Sequence, residues 1–351
     1  MPQSRHIAVI GAGIAGVTCA RTLVQGGHRV QLFEKSAGYG GRMATRASAF
    51  GGFDHGAQYF TVRDPRFERA LQTAPGQCKP WSASTVQVLD EHGRVAAAGL
   101  PAREAHWVPA PGMNALVRQW AMPLAQLQAV KLQTRVTRIA RDPQHAQRWQ
   151  LHAVGPETDN GHAHAVFDGF DAVLLALPSP QARELLQNSE LAARLVAQID
   201  TVQVAPCWTL MLAFPQAMQP AFSTLGPQWN AARSTHHRIA WLARESSKPG
   251  REPVERWTVQ ASAAWSQEHF DDEPARIQAK LLKAFSEVTG IRAEPSHVVS
   301  HRWAYAKTTH PLGKSHLWDV RAGIGVCGDW CIGHRVEDGF VSGLELALAV
   351  V

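Results

Sequence analysis

Residues 6–34, HIAVIGAGIAGVTCARTLVQGGHRVQLFE, decide the fold of this chain. The apolar run His6 to Ile10 reads as a strand that enters a turn carrying Gly11, Gly13 and Gly16. Apolar residues then recur at helical spacing until Gly26 and Gly27 stop the helix, and RVQLFEK reads as a second strand. In such a unit the first glycine permits the tight turn, the second lets backbone approach a pyrophosphate, and the third lets helix pack on strand. The helix N-terminus, with Ile14 and Ala15 in its first turn, offers free N–H groups and its positive dipole end to phosphates. Glu34 closes the second strand, where a carboxylate accepts hydrogen bonds from an adenosine ribose and repels a 2′-phosphate.

Just beyond lies EKSAGYGGRMATR, in which Lys35, the pair Gly40 and Gly41, Arg42 and Met43 follow Glu34. This resembles the ExxxxxGGR signature of the flavin amine-oxidase superfamily. Four more stations add to the likeness: FDHGAQYFT at 53–61, PGMNAL at 111–116, HRWAYA at 301–306 and GVCGDWCIGHRVEDGFVSGLELAL at 325–348. Together they resemble the renalase-like branch of that superfamily.

The resemblance implies a Rossmann-type domain holding FAD. Gly41, Arg42 and Met43 would pass the phosphates; His55, Gly56, Ala57, Gln58 and Val136 would line the cofactor's bed. Asp329 would hold the ribityl chain, and the final helix, entered through Asp338, Gly339 and Phe340, would point its N-terminus at the pyrimidine end of the flavin. No SGGCY-like segment is present, so the FAD is expected to be non-covalent.

The implied reaction takes a hydride from 2- or 6-dihydro-NAD(P) onto flavin N5 and passes the electrons to O2. Gln58, Tyr59 and Trp303 are the pocket candidates, with Asp54, His55 and Tyr305 as further polar groups of the same stations. A packing role is an equal alternative for each. Two other functions stay open: oxidation of a small amine, and an FAD-binding electron carrier or interaction module without small-molecule turnover. Only three tyrosines, at 39, 59 and 305, are available for the paired aromatic cage of amine oxidation.

The remaining pattern predicts an α/β protein with a second, α+β domain. DAVLLAL at 171–177 reads as another strand, followed by one helix with Leu185, Leu186, Leu191, Leu195 and Ile199 on a face. Between 203 and 262 the runs VAPCWTLMLAF, RIAWLA and ERWTVQAS predict a mainly antiparallel sheet. PARIQAKLLKAFSEVTG predicts a helix stopped by Gly290, and HVVSHRWAYA a strand leading back to the first domain. The boundaries read 1–80, 106–180 and 296–351 for the FAD domain, and 81–105 with 181–295 for the substrate domain. Trp208, Trp229, Trp241, Trp257 and Trp265 fall in the latter, as sheet core or as walls for a flat substrate.

At 351 residues with 45% hydrophobic and 18% charged side chains, the chain has the composition of a globular protein large enough for two domains. Its net charge of +6 is scattered and carries no nucleic-acid motif, which favours a phosphate-bearing small molecule as the partner, a dinucleotide substrate or FAD alone equally. Five cysteines, at 19, 78, 207, 327 and 331, form no framework and suit a reducing, cytoplasmic setting. No apolar run has membrane-spanning length. The seventeen histidines, with 162, 164, 236 and 237 in pairs, show no zinc spacing, so no metal is expected. Nothing in the sequence indicates an oligomeric state.

Overall fold

A computed structural model describes residues 4–81, 86–97, 104–158, 161–218, 227 and 229–351. Its first sheet has six strands in the order Leu317–Asp319, Ile324–Val326, Ala172–Leu175, His6–Ile10, Arg29–Phe33 and Val130–Lys131. All neighbours are parallel except the edge pair 317–319 with 324–326. Because side chains alternate along a strand, the central His6–Ile10 feeds two cores. Ile7 and Val9 pack with the helices Ile14–Gln25 and Ala115–Gln126 and the C-terminal helix Val336–Val350. Ala8 and Ile10 pack with a three-stranded sheet, 135–141, 149–158 and 161–170, and with the helices Ser179–Asn188 and Ala193–Ile199. The first and last helices touch closely: a Cβ on Gly343 would stand 2.1 Å from the Ala15 carbonyl oxygen.

The second sheet has seven strands in the order 297–310, 203–214, 255–261, 239–244, 231–234, 87–89 and 95–97. It is antiparallel apart from the pairing of 231–234 with 87–89. The helix Pro274–Thr289 covers one face and ends at Gly290, whose φ of 73° is the left-handed cap that glycine adopts freely. Trp208, Trp257 and Trp265 lie in that core, and Trp229 packs edge-on against Trp257. Trp241 faces the other way, toward the first domain.

Three expectations change. The strand at 297–310 pairs with 203–214 in the second sheet, so it does not belong with the first domain. The stretch 179–199 forms two helices broken where Glu190 and Ala192 take positive φ, and both pack on the first sheet, so the boundary near 180 moves past 199. An apolar strand or amphipathic helix does not state which sheet it joins; the partner surface decides that. In the 81–105 segment, residues 82–85 and 98–103 lie outside the described residues. Among the described residues no helix is long and apolar enough to cross a membrane.

Candidate active site

The three glycines do three separate things. Gly11 has φ +107°, and a Cβ there would sit 2.5 Å from the Ala176 carbonyl oxygen. A Cβ on Gly16 would overlap the Gly11 carbonyl oxygen at 1.8 Å, so that glycine serves the turn and stands outside the cavity lining. Gly13 differs: its nearest neighbour would be the Gly40 oxygen at 3.9 Å, leaving open space on the cavity side. Gly13 caps the helix without a side-chain hydrogen bond, and Ile14 and Ala15 follow it along the cavity wall. First-turn N–H groups have no partner inside a helix, so this end presents donors and a positive dipole.

Glu34, 8% exposed, accepts from the Ala12 and Ser36 amides, each at 2.8 Å, and so pins the glycine turn while lining the cavity. Lys35 and Val136 line the same end. The second glycine pair lies against the first: Gly40 N donates to Ala12 O at 3.0 Å, and Gly40 and Gly41 have φ of +117° and +55°. Arg42 reaches Asp329 through both guanidinium nitrogens, one contact being 2.9 Å. Both residues, with Met43 and Gly339, line the cavity. Phe340 and Asp338 do not. The Phe340 ring packs 4.9 Å from Phe67 and 5.8 Å from Trp120 in the core, and Asp338 accepts the Arg335 amide at 2.9 Å as a helix cap. On a helix, a neighbour of Gly339 points about 100° away from it, which is why adjacency in sequence misplaces them.

The other end of the cavity is built on 54–59. Asp54 is fully buried and accepts from Thr45 Oγ1 at 2.7 Å, Met113 N at 2.9 Å, Lys248 Nζ at 3.1 Å and Arg251 Nη2 at 2.6 Å. Burial alone would raise its carboxyl, but the Lys248 and Arg251 charges prevail and hold it at about 2. Lys248 also reaches Gln58 Oε1 at 3.2 Å and Glu245 at 3.0 Å, and burial raises the Glu245 carboxyl. The Gln58 amide nitrogen donates to the Asp54 and Gly56 carbonyls, so the whole carboxamide is engaged within the protein. Gln58 therefore shapes its loop.

Two further groups tie that loop to the second sheet. Gln260 Nε2 donates to Gly56 O at 2.6 Å, and Trp303 Nε1 to His55 O at 2.9 Å. The His55 imidazole, 6% exposed, packs between Trp303 at 5.0 Å and His301 at 4.8 Å. Burial, with the charges of His301 and Arg46, lowers its pKa to about 4. Tyr59 packs 4.0 Å from His106 and 5.7 Å from Trp241. Glu245, Lys248 and Arg251 escape sequence reading, because RESSKPGREPVER looks like a polar connector. Its one signal is the density of paired opposite charges.

The cavity holds about 1710 Å³, beyond the roughly 300–1,000 Å³ of a cleft for one drug-sized ligand. It runs from Glu34 and Lys35 past Gly13 and Arg42 to Tyr59, Trp241 and Trp303. Unpartnered helix-end donors, open space over Gly13 and a carboxylate at the second strand's end are the features a dinucleotide cofactor requires. The residues fit FAD with room for a second molecule. Elsewhere His236 stacks on His237 and contacts Glu287 at 3.3 Å; among the described residues no three His, Cys, Asp or Glu converge as a metal site.

Comparison with known proteins agrees with this geometry. Residues 9–74 match the profile of the NAD(P)-binding Rossmann-like domain, and residues 84–351 that of flavin containing amine oxidoreductase. Cyclohexylamine oxidase from Brevibacterium oxydans superposes with a TM-score of 0.72 at 12% identity over 99% of both chains. A CLA-producing fatty acid isomerase from P. acnes does so at 0.69 and 10% identity, also over 99% of both. These identities show the fold alone. An L-amino-acid oxidase of Siganus canaliculatus is 45% identical over 42 residues, 12% of this chain and 8% of that protein.

Fold, cavity and family profile together define an FAD-dependent oxidoreductase. The chain belongs to the flavin-containing amine oxidoreductase family.

Proposed function

We propose that this protein oxidises a misreduced dihydronicotinamide dinucleotide, a 2- or 6-dihydro isomer of NAD(P), in the manner of renalase-like flavoenzymes. The observation that carries this reading is the charge of the second-domain wall. Its cavity residues include Arg233 and Lys307, and among the described residues none of that wall is a carboxylate; the Arg302 guanidinium turns to the other face, where it pairs with Asp271 at 3.3 Å. The carboxylates of the lining, Glu34, Glu184 and Asp329, come from the first domain, with Asp329 held by Arg42. A phosphate-bearing substrate gains from such a wall, whereas a cationic amine meets no counter-charge on it.

Bound FAD, non-covalent in this reading, would act as the two-electron acceptor, leaving NAD(P)+ as product and delivering the pair to dioxygen, which with protons becomes hydrogen peroxide. The chain's own residues position and enclose. Gly13 and the helix end take the pyrophosphate, Glu34 the ribose, and Arg42 with Asp329 the chain between ribose and flavin. Tyr59, Trp241 and Trp303 give flat apolar surface that excludes water. A cavity walled by the second domain also speaks against a carrier module without a substrate.

The competing reading, oxidation of a small amine, draws on the family and on the same aromatic residues. Anaerobic mixing of the flavoprotein with 6-dihydro-NAD, NADH and a panel of amines separates the two. Bleaching of the flavin by the dihydro isomer alone, reversed by air, is the expected result; bleaching by an amine alone overturns the proposal.

A further inference from the structure

One row of residues crosses the cavity-facing side of the second sheet. Arg233 pairs in register with Trp241, Trp241 with Gln260, Gln260 with Thr209, and Thr209 with His301. Five strands at about 4.8 Å spacing make this row ~19 Å long, far longer than one aromatic ring. Side chains in register on neighbouring strands share a face, and Ala231 and Ala243 on that face pack with the first domain. Arg233, Trp241, Gln260 and His301 all line the cavity.

The first two members of the row are donors without acceptors. Arg244, on the strand beside Arg233, is paired with Glu255 at 3.0 Å, but Arg233 makes no ion pair or side-chain hydrogen bond among the described residues. Trp241 is 9% exposed, and its indole N–H has no acceptor among the described residues. The buried Trp241 donor left unpaired costs about 1–3 kcal/mol, and the exposed Arg233 guanidinium beside it, uncommitted to any carboxylate of its own wall, is available to pair with an anion.

We infer that Arg233 and Trp241 form the subsite that recognises an anionic group of the substrate, the guanidinium pairing with its oxygens and the indole covering the flat group beside it. The inference deepens the dinucleotide reading and rests on it for the choice of phosphate as the anion. A carboxylate has the same donor requirement and is separated from phosphate by the experiment. Arginine's planar fork matches either anion through two parallel hydrogen bonds, a geometry lysine lacks.

The test is anaerobic stopped-flow reduction of the flavoprotein by 6-dihydro-NAD, 6-dihydronicotinamide mononucleotide and 6-dihydronicotinamide riboside, the last without phosphate. Arg233→Gln and Arg233→Lys are compared with the parent after their flavin content is matched. Arg233→Gln should reduce the preference for the two phosphate-bearing compounds over the riboside by roughly tenfold or more, with Arg233→Lys intermediate. An unchanged preference overturns the subsite. If none of the three bleaches the flavin, the dinucleotide reading fails by itself. The same proteins are then mixed with L-amino acids and the corresponding amines lacking the carboxylate. A carboxylate preference lost in Arg233→Gln keeps the subsite with a different anion; no Arg233-dependent preference for either anion removes it.

Discussion

Lys248 and Asp54 meet as ammonium and carboxylate at 3.1 Å, with both side chains wholly excluded from solvent. The contact joins a loop of the second domain to the loop that bears His55 and Gln58, and Glu245 and Arg251 complete the cluster. Lys248→Met should destabilise the protein by ~3–5 kcal/mol, because it leaves Glu245 as a buried charge without its cation. Urea unfolding of the flavoprotein measures this; a loss below about 1 kcal/mol would show that the cluster relaxes or hydrates.

His55 gives a pH dependence of known sign. Its folded pKa of about 4 lies below the ordinary 6.5, so the unfolded chain binds the extra proton between those values. The stabilising contribution is complete above pH 6.5 and is lost as pH falls toward 4, by on the order of 3 kcal/mol. His55→Gln should flatten the melting temperature between pH 7 and 5 relative to the parent, and equal slopes in both proteins would remove His55 as the cause.

Gly13 and Gly16 should separate binding from folding. Gly13 has φ −74° and room for a methyl group, so Gly13→Ala leaves the apoprotein's melting temperature within a degree or two while lowering FAD affinity at least tenfold. Gly16→Ala drives a methyl into the Gly11 carbonyl and lowers the yield of folded protein. Apoprotein melting and FAD titration distinguish these, and a Gly13→Ala protein that binds FAD normally would place the pyrophosphate elsewhere.

Glu34→Gln turns one carboxylate oxygen into a donor facing a backbone N–H. The glycine turn then loses a charge-assisted bond and gains an unpaired donor, at about 1–3 kcal/mol. The purified variant should carry visibly less flavin per protein, measured from its absorbance ratio, with its substrate preference unaltered. Full flavin retention would take Glu34 out of the cofactor site.

The sequence by itself determined the first domain's opening unit, whose residues gather along one end of the cavity. Gly11, Gly13, Gly16 and Gly41 act through backbone conformation, and Glu34 and Arg42 stand at short-range spacing from them, so a linear pattern records all six. It also gave the antiparallel runs of the middle region and the Gly290 helix stop. Only the tertiary structure decided which sheet takes 297–310, that 179–199 breaks in two, and that Phe340 turns to the core while Gly339 meets the cavity. It alone assembled Asp54, Glu245, Lys248 and Arg251 from segments nearly 200 residues apart, and set Arg233 beside Trp241 in register. The physical reason is common to all of these. Periodicity encodes which face of an element is apolar, but the partner of that face, and the charge that balances a buried charge, are fixed by long-range packing and strand register that no local pattern carries.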